Sequence, residues 1–415
     1  MVLPTSISSL LALSVLAFFS LSARASPHLP RTASSTAAST LKLAVRINSS
    51  GVKNIAAADR ARAQTFSAED GSNITSIDAT NNGVTYTADV GVGSPATYYT
   101  LLIDTGSSNT WIGANKSYTK TTTSQDTGCR FGLAYGGPTD LTYVAGVEYS
   151  DTVTLTSDLV IENQSIGVAS TYPDLGGLDG ILGLGPVNLT QDTVCNGGEV
   201  PTVMDNLYAQ RTIHSEVFGV FFAPASSDNS GGELTIGSFD NSKITGFINY
   251  ASSTSTYPAS RYWGIDQSIS YGSTSILTKT AGIVDTGTTL ILIATDAFRK
   301  YQSATGGTPD EATGLLKISL DQYNQLSSLY FTIGSDALEL TPNGQIWPRS
   351  LNTAIGGTTD GIYLVVGDIG SNSGFGLDVI IGYCFLERYY SIFEKTSYSE
   401  SVAFAATEYT YATSN

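Results

Sequence analysis

The sequence predicts an all-β, bilobal fold made of two related halves, and three observations support this. The composition, with 42 Gly, 23 Tyr and only 13% charged residues, favours strands and turns over helices. From residue 84 onward, short runs of alternating apolar and polar residues are separated by clusters of Gly, Asn, Asp and Ser, as expected of strands joined by turns. Finally, an apolar run ending in Asp-Thr-Gly occurs once in each half, at Asp104 and Asp285.

The length of 415 residues suits two domains plus processing segments. Residues 10–21 form an apolar run that is too short to span a membrane. Ala23 and Ala25 follow it and supply the small residues that a signal peptidase reads. We therefore expect a secreted, extracellular protein, although a vacuolar destination stays open. The expected divisions are a signal peptide, a pro-segment, an N-terminal lobe and a C-terminal lobe, at residues 1–25, 26–75, 76–250 and 251–415.

Two elements are predicted within the pro-segment. Residues 41–47 alternate apolar and other side chains, as an edge strand would. Residues 56–64 are rich in Ala and carry charges, which is typical of a short helix. The mature chain is expected to begin near Ser76.

Beyond the pro-segment, residues 84–92 are predicted to form a strand with one buried face. Helices are expected at residues 201–210, which begin with Pro, and at residues 295–301. The apolar residues expected on one side of the first of these helices are Val203, Leu207 and Tyr208.

The formal net charge of −16 excludes the function classes that depend on a basic surface. Nucleic acid binding needs a positively charged face for the phosphates, and anionic membranes attract basic segments. We therefore expect neither as a partner. The charge is also uneven, because basic side chains are concentrated before residue 75 and the remainder is strongly acidic.

The segments around the two Asp-Thr-Gly motifs carry the strongest signal. Residues 101–108 read Leu-Leu-Ile-Asp-Thr-Gly-Ser-Ser, and residues 282–289 read Gly-Ile-Val-Asp-Thr-Gly-Thr-Thr. Later in each half an apolar pair and a Gly follow, at residues 181–183 and 380–382. One Asp-Thr-Gly alone can be an ordinary turn, but two copies in matched contexts suggest two carboxylates paired across two lobes.

On these motifs the chain resembles the pepsin family of aspartic peptidases, and within it the secreted fungal enzymes. Residues 179–185 and 385–393 match as well, and the resemblance covers roughly residues 82–394. It implies the bilobal pepsin-like fold and a secreted aspartic endopeptidase, made as a zymogen, that cleaves internal peptide bonds of proteins at acid pH. The residues implied in catalysis are Asp104 and Asp285, with support from Thr105, Gly106, Ser107, Thr286, Gly287 and Thr288.

Two facing carboxylates share one proton, because both cannot ionise cheaply side by side. The ionised carboxylate takes a proton from a bound water, and the protonated one donates to the carbonyl oxygen of the scissile bond. We expect neither a metal nor a cofactor in this chemistry. The resemblance also implies that Ser107 and Thr288 hydrogen-bond the outer carboxylate oxygens, and that Thr105 and Thr286 connect the two loops.

The family covers its cleft with a hairpin flap that carries a Tyr before a Gly. Tyr135 and Gly136 are the best match here, and Trp111 matches the usual hydrogen-bond partner of that Tyr. The hairpin is a few residues longer than usual, so Tyr143 remains an alternative. A second departure is Tyr383, where the family usually has Asp, and we expect this residue to pack behind the site with little effect on function.

The three Cys form neither a disulfide framework nor a zinc pattern. Cys384 lies in an apolar run and is expected to be a buried free thiol, whereas Cys129 and Cys195 are either paired or free. In a secreted chain, Asn-x-Ser/Thr sequons are candidate glycan sites. They occur at Asn48, Asn73, Asn115, Asn163 and Asn188.

The basic pro-segment is expected to act as an intramolecular inhibitor. A Lys such as Lys42 or Lys53 would reach the paired carboxylates and block the cleft, and acid would weaken this hold and permit self-cleavage. The alternative is a loose leader whose charge is incidental. The other expected partners are polypeptide substrates and pepstatin-type inhibitors, and we expect a monomer.

Two other functions fit parts of the sequence. A catalytically inactive, pepsin-fold binding protein would be expected to lose an Asp or its Gly, whereas both motifs are intact. A secreted carbohydrate-active enzyme with two carboxylates would explain the acidity but not the repeated Asp-Thr-Gly. A His-dependent triad has only His214 available, because His28 lies in the expected pro-segment, and no nucleophile motif accompanies it.

Overall fold

The fold is given by a computed structural model that describes residues 39–47, 54–67, 84–135, 142–227 and 231–413. In chain order, the first strands are β1 (Ser39–Ile47), β2 (Val84–Val92), β3 (Thr97–Asp104), β4 (Trp111–Ile112), β5 (Gln125–Tyr135), β6 (Thr142–Thr156), β7 (Leu159–Thr171), β8 (Gly180–Gly183), β9 (Glu216–Ala223), β10 (Gly231–Ile236) and β11 (Ile248–Ser252). They are followed by β12 (Gly264–Tyr271), β13 (Thr274–Val284), β14 (Ile291–Ile293), β15 (Thr308–Pro309), β16 (Leu316–Ile318), β17 (Leu329–Ile333), β18 (Asp336–Leu340), β19 (Ile362–Leu364), β20 (Val366–Asp368), β21 (Val379–Ile381), β22 (Tyr389–Lys395) and β23 (Glu400–Ala406). The α-helices of the described residues are α1 (Ile55–Phe66), α2 (Val203–Ala209), α3 (Thr295–Thr305), α4 (Leu320–Asn324) and α5 (Tyr383–Leu386).

Most of these strands belong to two large sheets, which confirms the predicted all-β class. The first sheet has the order β11-β23-β22-β9-β10-β1-β2-β3-β8-β4-β7-β6-β5, and the second has the order β18-β17-β12-β13-β21-β14-β20. A small third sheet is formed by β15, β16 and β19. Strands β22 and β23, near the end of the chain, pair beside β9, so the first sheet contains strands from both halves. The lobe boundary expected near residue 250 falls within β11 and stays a prediction.

Aromatic side chains connect the two halves in the core. Phe218 of β9 stacks on Phe393 of β22 with ring centroids 4.7 Å apart. Trp263, just before β12, packs edge-on against both rings, at 5.8 and 5.3 Å. Its indole nitrogen also donates to the carbonyl oxygen of Leu184 at 2.8 Å. Because large aromatic rings bury much apolar surface, this cluster fixes the two halves against each other.

Strand β1 corresponds to the edge strand predicted in the pro-segment, but the edge position is wrong. Residues 39–43 pair antiparallel with β10, and residues 44–47 pair antiparallel with β2. The strand therefore lies between β10 and β2 in the large sheet, with its first half paired to one neighbour and its second half to the other. The alternating sequence predicted the strand correctly, but it did not contain information about how many neighbours the strand has.

Strand β2 is buried on both faces, whereas one buried face was predicted. All of its residues except Asp89 are buried. Tyr86 stacks on Phe222 with ring centroids 3.8 Å apart, and the opposite-facing Thr87 is equally covered. Thr and Gly at the alternating positions are small enough to be buried when chain packs on both sides, which is why the polar pattern was misleading.

Helix α1 confirms the predicted pro-segment helix. Its first turn is capped by Asn54, whose side chain accepts a hydrogen bond from the backbone nitrogen of Ala57 at 3.0 Å. The interior is rich in Ala and Arg, which favour helix. One side of the helix is buried, and its most buried large residues are Ile55, Asp59, Arg62 and Phe66. These positions follow helical spacing, so two charged side chains lie on the buried side.

The other two predicted helices are also present. Helix α2 begins after Thr202, which forms a capping box with Asp205. Val203 and Leu207 are buried as expected, but Tyr208 is exposed, because consecutive helical residues point about 100° apart. Helix α3 extends four residues beyond the predicted end, as far as Thr305.

Cys129 and Cys195, which the sequence left as either paired or free, form a disulfide. Cys384 is a buried free thiol, as predicted. The disulfide links β5 to the segment that follows β8, where the backbone nitrogen of Cys195 also donates to the carbonyl oxygen of Arg130 at 3.1 Å. Within the described ranges, no helix is both long and apolar enough to cross a bilayer.

Candidate active site

The two Asp-Thr-Gly motifs stand at the ends of β3 and β13, in equivalent surroundings. β3 pairs in parallel with β8, and β13 pairs in parallel with β21. The apolar-apolar-Gly segments noticed in the sequence are therefore the strands next to the Asp-bearing strands. β4 and β14 then pair antiparallel with β8 and β21. The repeat in the sequence is thus a repeat of one local structure.

The Thr residues of the two motifs connect the loops. Thr105 donates from its hydroxyl to the carbonyl oxygen of Val284 at 3.1 Å, and Thr286 donates to the carbonyl oxygen of Ile103 at 2.9 Å. Each hydroxyl also accepts a hydrogen bond from the backbone nitrogen of the other Thr, both at 3.0 Å. These four buried bonds fix the distance between the loops, as the resemblance implied.

Each Asp is held by its own loop. The backbone nitrogen of Gly106 donates to Asp104 Oδ1 at 3.0 Å, and the hydroxyl of Ser107 donates to Oδ2 at 2.5 Å. In the second loop, the backbone nitrogen of Gly287 donates to Asp285 Oδ1 at 2.9 Å. The hydroxyl of Thr288 donates to Asp285 Oδ2 at 2.5 Å. The outer oxygens therefore have the donors implied by the resemblance, and the inner oxygens face the other loop.

Gly is required after each Asp-Thr because the opposite carboxylate is so close. A Cβ atom on Gly106 would lie 2.6 Å from Asp285 Oδ1, and one on Gly287 would lie 2.5 Å from Asp104 Oδ1. Contacts this short force atoms apart. The two Gly residues thus allow the two carboxylates to face each other.

A guanidinium group from α1 lies between the two carboxylates. Arg62 donates from Nη2 to Asp104 Oδ1 at 2.7 Å, and from Nε and Nη2 to Asp285 Oδ2 and Oδ1 at 2.8 and 3.0 Å. The Arg62 side chain is 3% exposed, and both carboxylates are fully buried. Its guanidinium carbon also lies 5.3 Å from the ring centroid of Phe66. Arg62 therefore fills the space between the two carboxylates.

The blocking cation predicted from the sequence was Lys42 or Lys53, and Lys42 is wrong. Lys42 forms a surface ion pair with Glu233, which lies opposite it in the β1–β10 register. Lys53 lies outside the described residues. The sequence signal that points to Arg62 is its position on the buried side of α1, between Asp59 and Phe66.

The model of the eukaryotic aspartyl protease family matches residues 85–407. The chain belongs to this family. Polyporopepsin from Irpex lacteus is 56% identical over 344 residues, which cover 82% of this chain and 99% of polyporopepsin. Rhizopuspepsin-1 from Rhizopus niveus is 30% identical over 332 residues, covering 76% of this chain and 77% of that protein. The crystal structure of an aspartic proteinase from Irpex lacteus matches with a TM-score of 0.76 and 56% identity, covering 80% of this chain and 96% of that chain.

These findings confirm the resemblance, the bilobal pepsin-like fold and the enzyme class predicted from the sequence. The chain is an aspartic endopeptidase of the pepsin family, and members of this family act on polypeptides. Among the residues that the structure describes, no group of three or more His, Cys, Asp or Glu side chains is placed to hold a metal ion.

The two carboxylates of this aspartyl protease differ in electrostatic state. Burial raises the pKa of Asp104 to about 6, although the charge of Arg62 acts against this rise. Burial acts in the same direction on Asp285, but the charge and hydrogen bonding of Arg62, together with the hydrogen bonds from Thr288 and Gly287, outweigh it, so the pKa of Asp285 lies below its usual value. The difference follows from the geometry, because two nitrogens of Arg62 contact Asp285 and only one contacts Asp104.

A third carboxylate, which the sequence did not reveal, belongs to the same cluster. Asp59 lies one helical turn before Arg62, and its Oδ2 accepts a hydrogen bond from the backbone nitrogen of Leu290 at 2.6 Å. Burial raises the pKa of Asp59 to about 7, against the lowering effect of hydrogen bonds from the backbone of Leu290 and Thr289. Helix α1 therefore binds the second Asp loop with both an acidic and a basic side chain.

The structure describes only part of the hairpin expected to form the flap. β5 and β6 form a hairpin in which Tyr135 pairs with Thr142 and Ala134 pairs with Tyr143. The side chain of Tyr135 and the whole of Gly136 lie outside the described residues, so Tyr135 stays a prediction. Tyr143 is 54% exposed. The fully buried indole nitrogen of Trp111 has no hydrogen-bond acceptor among the described residues.

Tyr383 packs in the core beside the site. Its side chain is 2% exposed, and its ring meets that of Tyr86 edge-on, with centroids 5.7 Å apart. Its backbone nitrogen donates to the carbonyl oxygen of Thr288 at 2.8 Å. The residue therefore supports the second Asp loop from behind, as expected.

Proposed function

We propose that this chain is the precursor of a secreted acid endopeptidase, in which Asp104 and Asp285 are catalytic and α1 blocks them until acid releases it. The observation that carries the proposal is the Arg62 guanidinium, which bridges both buried carboxylates. A buried ion pair of this kind is costly to break from one side. A polypeptide therefore cannot reach the carboxylates while α1 is in place.

Once α1 has left, the two carboxylates share one proton. The ionised carboxylate removes a proton from the water between them, and the water oxygen attacks the carbonyl carbon of the scissile peptide bond. The protonated carboxylate donates its proton to the carbonyl oxygen, which gives a neutral tetrahedral diol. When the diol collapses, one of its hydroxyls returns a proton to the ionised carboxylate, the C–N bond breaks and the leaving nitrogen takes the proton of the other carboxyl group, so the dyad again holds one proton.

The same proposal includes secretion and glycosylation. Residues 1–25 are expected to direct the chain to the secretory pathway and residues 26–75 to be removed, although the processing site lies outside the described residues. Asn115 and Asn163 are exposed sequons, whereas Asn188 is half-buried. Asn163 also has a positive φ of 54°, next to a register shift in the β6–β7 pairing. We expect glycan at the two exposed sites first.

The proposal is tested with the full chain secreted from a eukaryotic host. The precursor is treated at pH 3, its new amino terminus is determined, and cleavage of a denatured protein is then measured at pH 3 and pH 7, with and without pepstatin. We expect activity at pH 3 only, complete inhibition by pepstatin, and a new amino terminus near Ser76. The matched control is the Asp285→Asn precursor treated in the same way, which separates self-cleavage from a contaminating protease.

A correctly processed, folded chain that cleaves nothing at either pH would instead support the inactive binding protein of the same fold. Activity that appears in the Asp285→Asn control would come from another protease and would remove the support for self-cleavage.

A further inference from the structure

The segment at residues 190–195, which follows β8, contacts the loop that begins at the first catalytic carboxylate, Asp104. In that loop, Asn109 donates from Nδ2 to the hydroxyl oxygen of Thr193 at 2.9 Å. The hydroxyl of Thr193 in turn donates to the carbonyl oxygen of Thr190 at 2.7 Å. Asn109 and Thr193 are both buried, so these hydrogen bonds do not compete with water.

The backbone of the same segment pairs with β5. The backbone nitrogen of Gly132 donates to the carbonyl oxygen of Thr193 at 3.0 Å, and the backbone nitrogen of Cys195 donates to that of Arg130 at 3.1 Å. The disulfide between Cys195 and Cys129 adds a covalent link beside these bonds. Thr193 therefore contacts the catalytic loop through its side chain and the β5–β6 hairpin through its backbone.

The hairpin and the strand that carries the first catalytic Asp also share one apolar cluster. Phe131 and Leu133 of β5 and Val144 of β6 belong to it, together with Leu102 of β3 and Trp111 of β4. Apolar contact holds these strands together but has no direction, whereas a hydrogen bond restricts both distance and angle. The bonds of Thr193 are therefore the part of this contact that sets where the hairpin lies relative to the catalytic loop.

The Asn109 side chain depends on Thr193 for its position. Its other polar atom, Oδ1, is buried and has no hydrogen-bond partner among the described residues. Loss of the Thr193 hydroxyl would leave the buried Nδ2 without an acceptor, which costs more than removing both partners together. This difference makes the contact between the two residues measurable.

We infer that Thr193 is a positioning residue for peptide-bond cleavage, which holds the β5–β6 hairpin, the expected flap, in a fixed place relative to the loop of Asp104. A substrate bound under the hairpin would be displaced with it, and its scissile bond would then be less well aligned with the dyad. The inference rests on the proposed function, because a positioning role has a meaning only if the chain cleaves polypeptides.

The test compares acid-processed enzymes on a quenched fluorescent peptide at pH 3. Active sites are counted by titration with pepstatin, so that a smaller folded fraction is not mistaken for a lower kcat. Thr193→Val removes the hydroxyl but keeps the shape. It should lower kcat by about ten-fold and change KM much less, because a misplacement of about 1 Å can cost up to a hundred-fold in rate. Thr193→Ser retains the hydroxyl and should restore most of the rate.

The matched control is Thr305→Val on α3. Thr305 is also buried, and its hydroxyl donates to the carbonyl oxygen of Tyr301 at 3.0 Å and accepts from the backbone nitrogen of Gly307 at 3.3 Å. Thr305→Val and Thr193→Val should therefore lower the urea midpoint of unfolding by similar amounts, whereas only Thr193→Val should lower kcat.

A double variant tests whether the effect passes through Asn109. Asn109→Leu and Thr193→Val remove the same hydrogen bond, so their effects should not add. The enzyme with both substitutions should have a kcat no lower than that of Thr193→Val alone.

A kcat for Thr193→Val equal to that of Thr305→Val, or losses that multiply in the double variant, would overturn the positioning role while the endopeptidase function stands. If the enzyme without substitutions cleaves no peptide, the proposed function fails and the positioning role fails with it. Cleavage that pepstatin does not inhibit belongs to another protease and counts in the same way.

Discussion

The loops that carry Asp104 and Asp285 are nearly equal in local structure but unequal in what packs on them. Each follows a strand with a parallel neighbour, and each holds its carboxylate with a backbone nitrogen and a hydroxyl. Helix α1, however, docks mainly on the second loop. Arg62 makes two hydrogen bonds with Asp285 and one with Asp104, and Asp59 accepts a hydrogen bond from the backbone nitrogen of Leu290, just beyond the second motif.

Further contacts of α1 are also with the second half of the chain. The ring of Phe66 meets that of Tyr262 edge-on at 4.9 Å, and Asn54 donates from its backbone nitrogen to the carbonyl oxygen of Ala312 at 3.0 Å. The comparison shows that repeated sequence produces repeated local geometry, whereas the electrostatic difference between the carboxylates comes from a helix outside the repeat.

The largest expected effect is the loss of catalysis when either carboxylate is neutralised. Asp104→Asn and Asp285→Asn should each lower kcat/KM by roughly a thousand-fold or more, because the two groups act as one unit and neither can replace the other. The rate is measured on precursor processed in trans by the wild-type enzyme, which is then removed. A variant that retains substantial activity would show that the equivalence of the two loops does not extend to function.

The next largest effect concerns the cation that the loops share. Arg62→Met leaves two buried carboxylates without their partner, which costs about 3–5 kcal/mol, so the precursor should cleave a small peptide at pH 5 without prior acid treatment. Arg62→Lys retains the charge with fewer contacts and should be intermediate. The control is Arg46→Met on β1, where the side chain donates to a carbonyl oxygen at the surface. An Arg62→Met precursor that folds and stays as latent as this control would exclude Arg62 as the block.

The ionisation of Asp59 allows the difference between the two loops to be tested by measuring stability against pH. Its pKa rises on folding from 3.8 to about 7, so it contributes stability that is fully present below pH 4 and is lost as the pH rises through 7. In an Asp104→Asn background that cannot cleave itself, the melting temperature should fall more steeply between pH 5 and 8 than it does when Asp59→Asn is added. Parallel curves for the two proteins would mean that Asp59 does not titrate in this range.

The pH dependence of the stability that Asp285 contributes is opposite to that of Asp59. Its lowered pKa contributes stability above the ordinary value of 3.8, and this is lost as the pH falls through the lowered pKa of the folded chain. Helix α1 is therefore expected to stay docked in mild acid and to be released only below about pH 4. The measurement is the time course of precursor processing at pH 3, 4 and 5. Equally fast processing at pH 5 and at pH 3 would contradict this order.

The smallest effect tests the equivalence of the loops directly. Thr105→Val and Thr286→Val each remove one donated and one accepted hydrogen bond between the loops. Each should lower the free energy of unfolding by about 1–3 kcal/mol, measured by urea denaturation of the pepstatin-bound enzyme. Similar losses would confirm the symmetry, and a loss in only one variant would show that one loop depends on the other.

The sequence by itself determined the features that depend on local order along the chain. Asp104, Asp285 and their supporting residues could be found because a strand, a tight turn and its donors occupy consecutive positions. The helix from Ile55 to Phe66 could be predicted for the same reason, since its composition and spacing are local. The Cys129–Cys195 pairing and the position of β1 inside the sheet could not, because each depends on which distant segments become neighbours.

The cation that bridges the two carboxylates is the clearest case that only the tertiary structure decided. Lys42 and Arg62 are both basic residues of the expected pro-segment, and charge alone does not distinguish them. β-sheet register places Lys42 opposite Glu233 at the surface, whereas the helical turn places Arg62 on the buried side of α1, against both carboxylates. Which ion pairs form depends on which charged groups the folded chain brings into contact and removes from water. The order of residues alone does not contain this information.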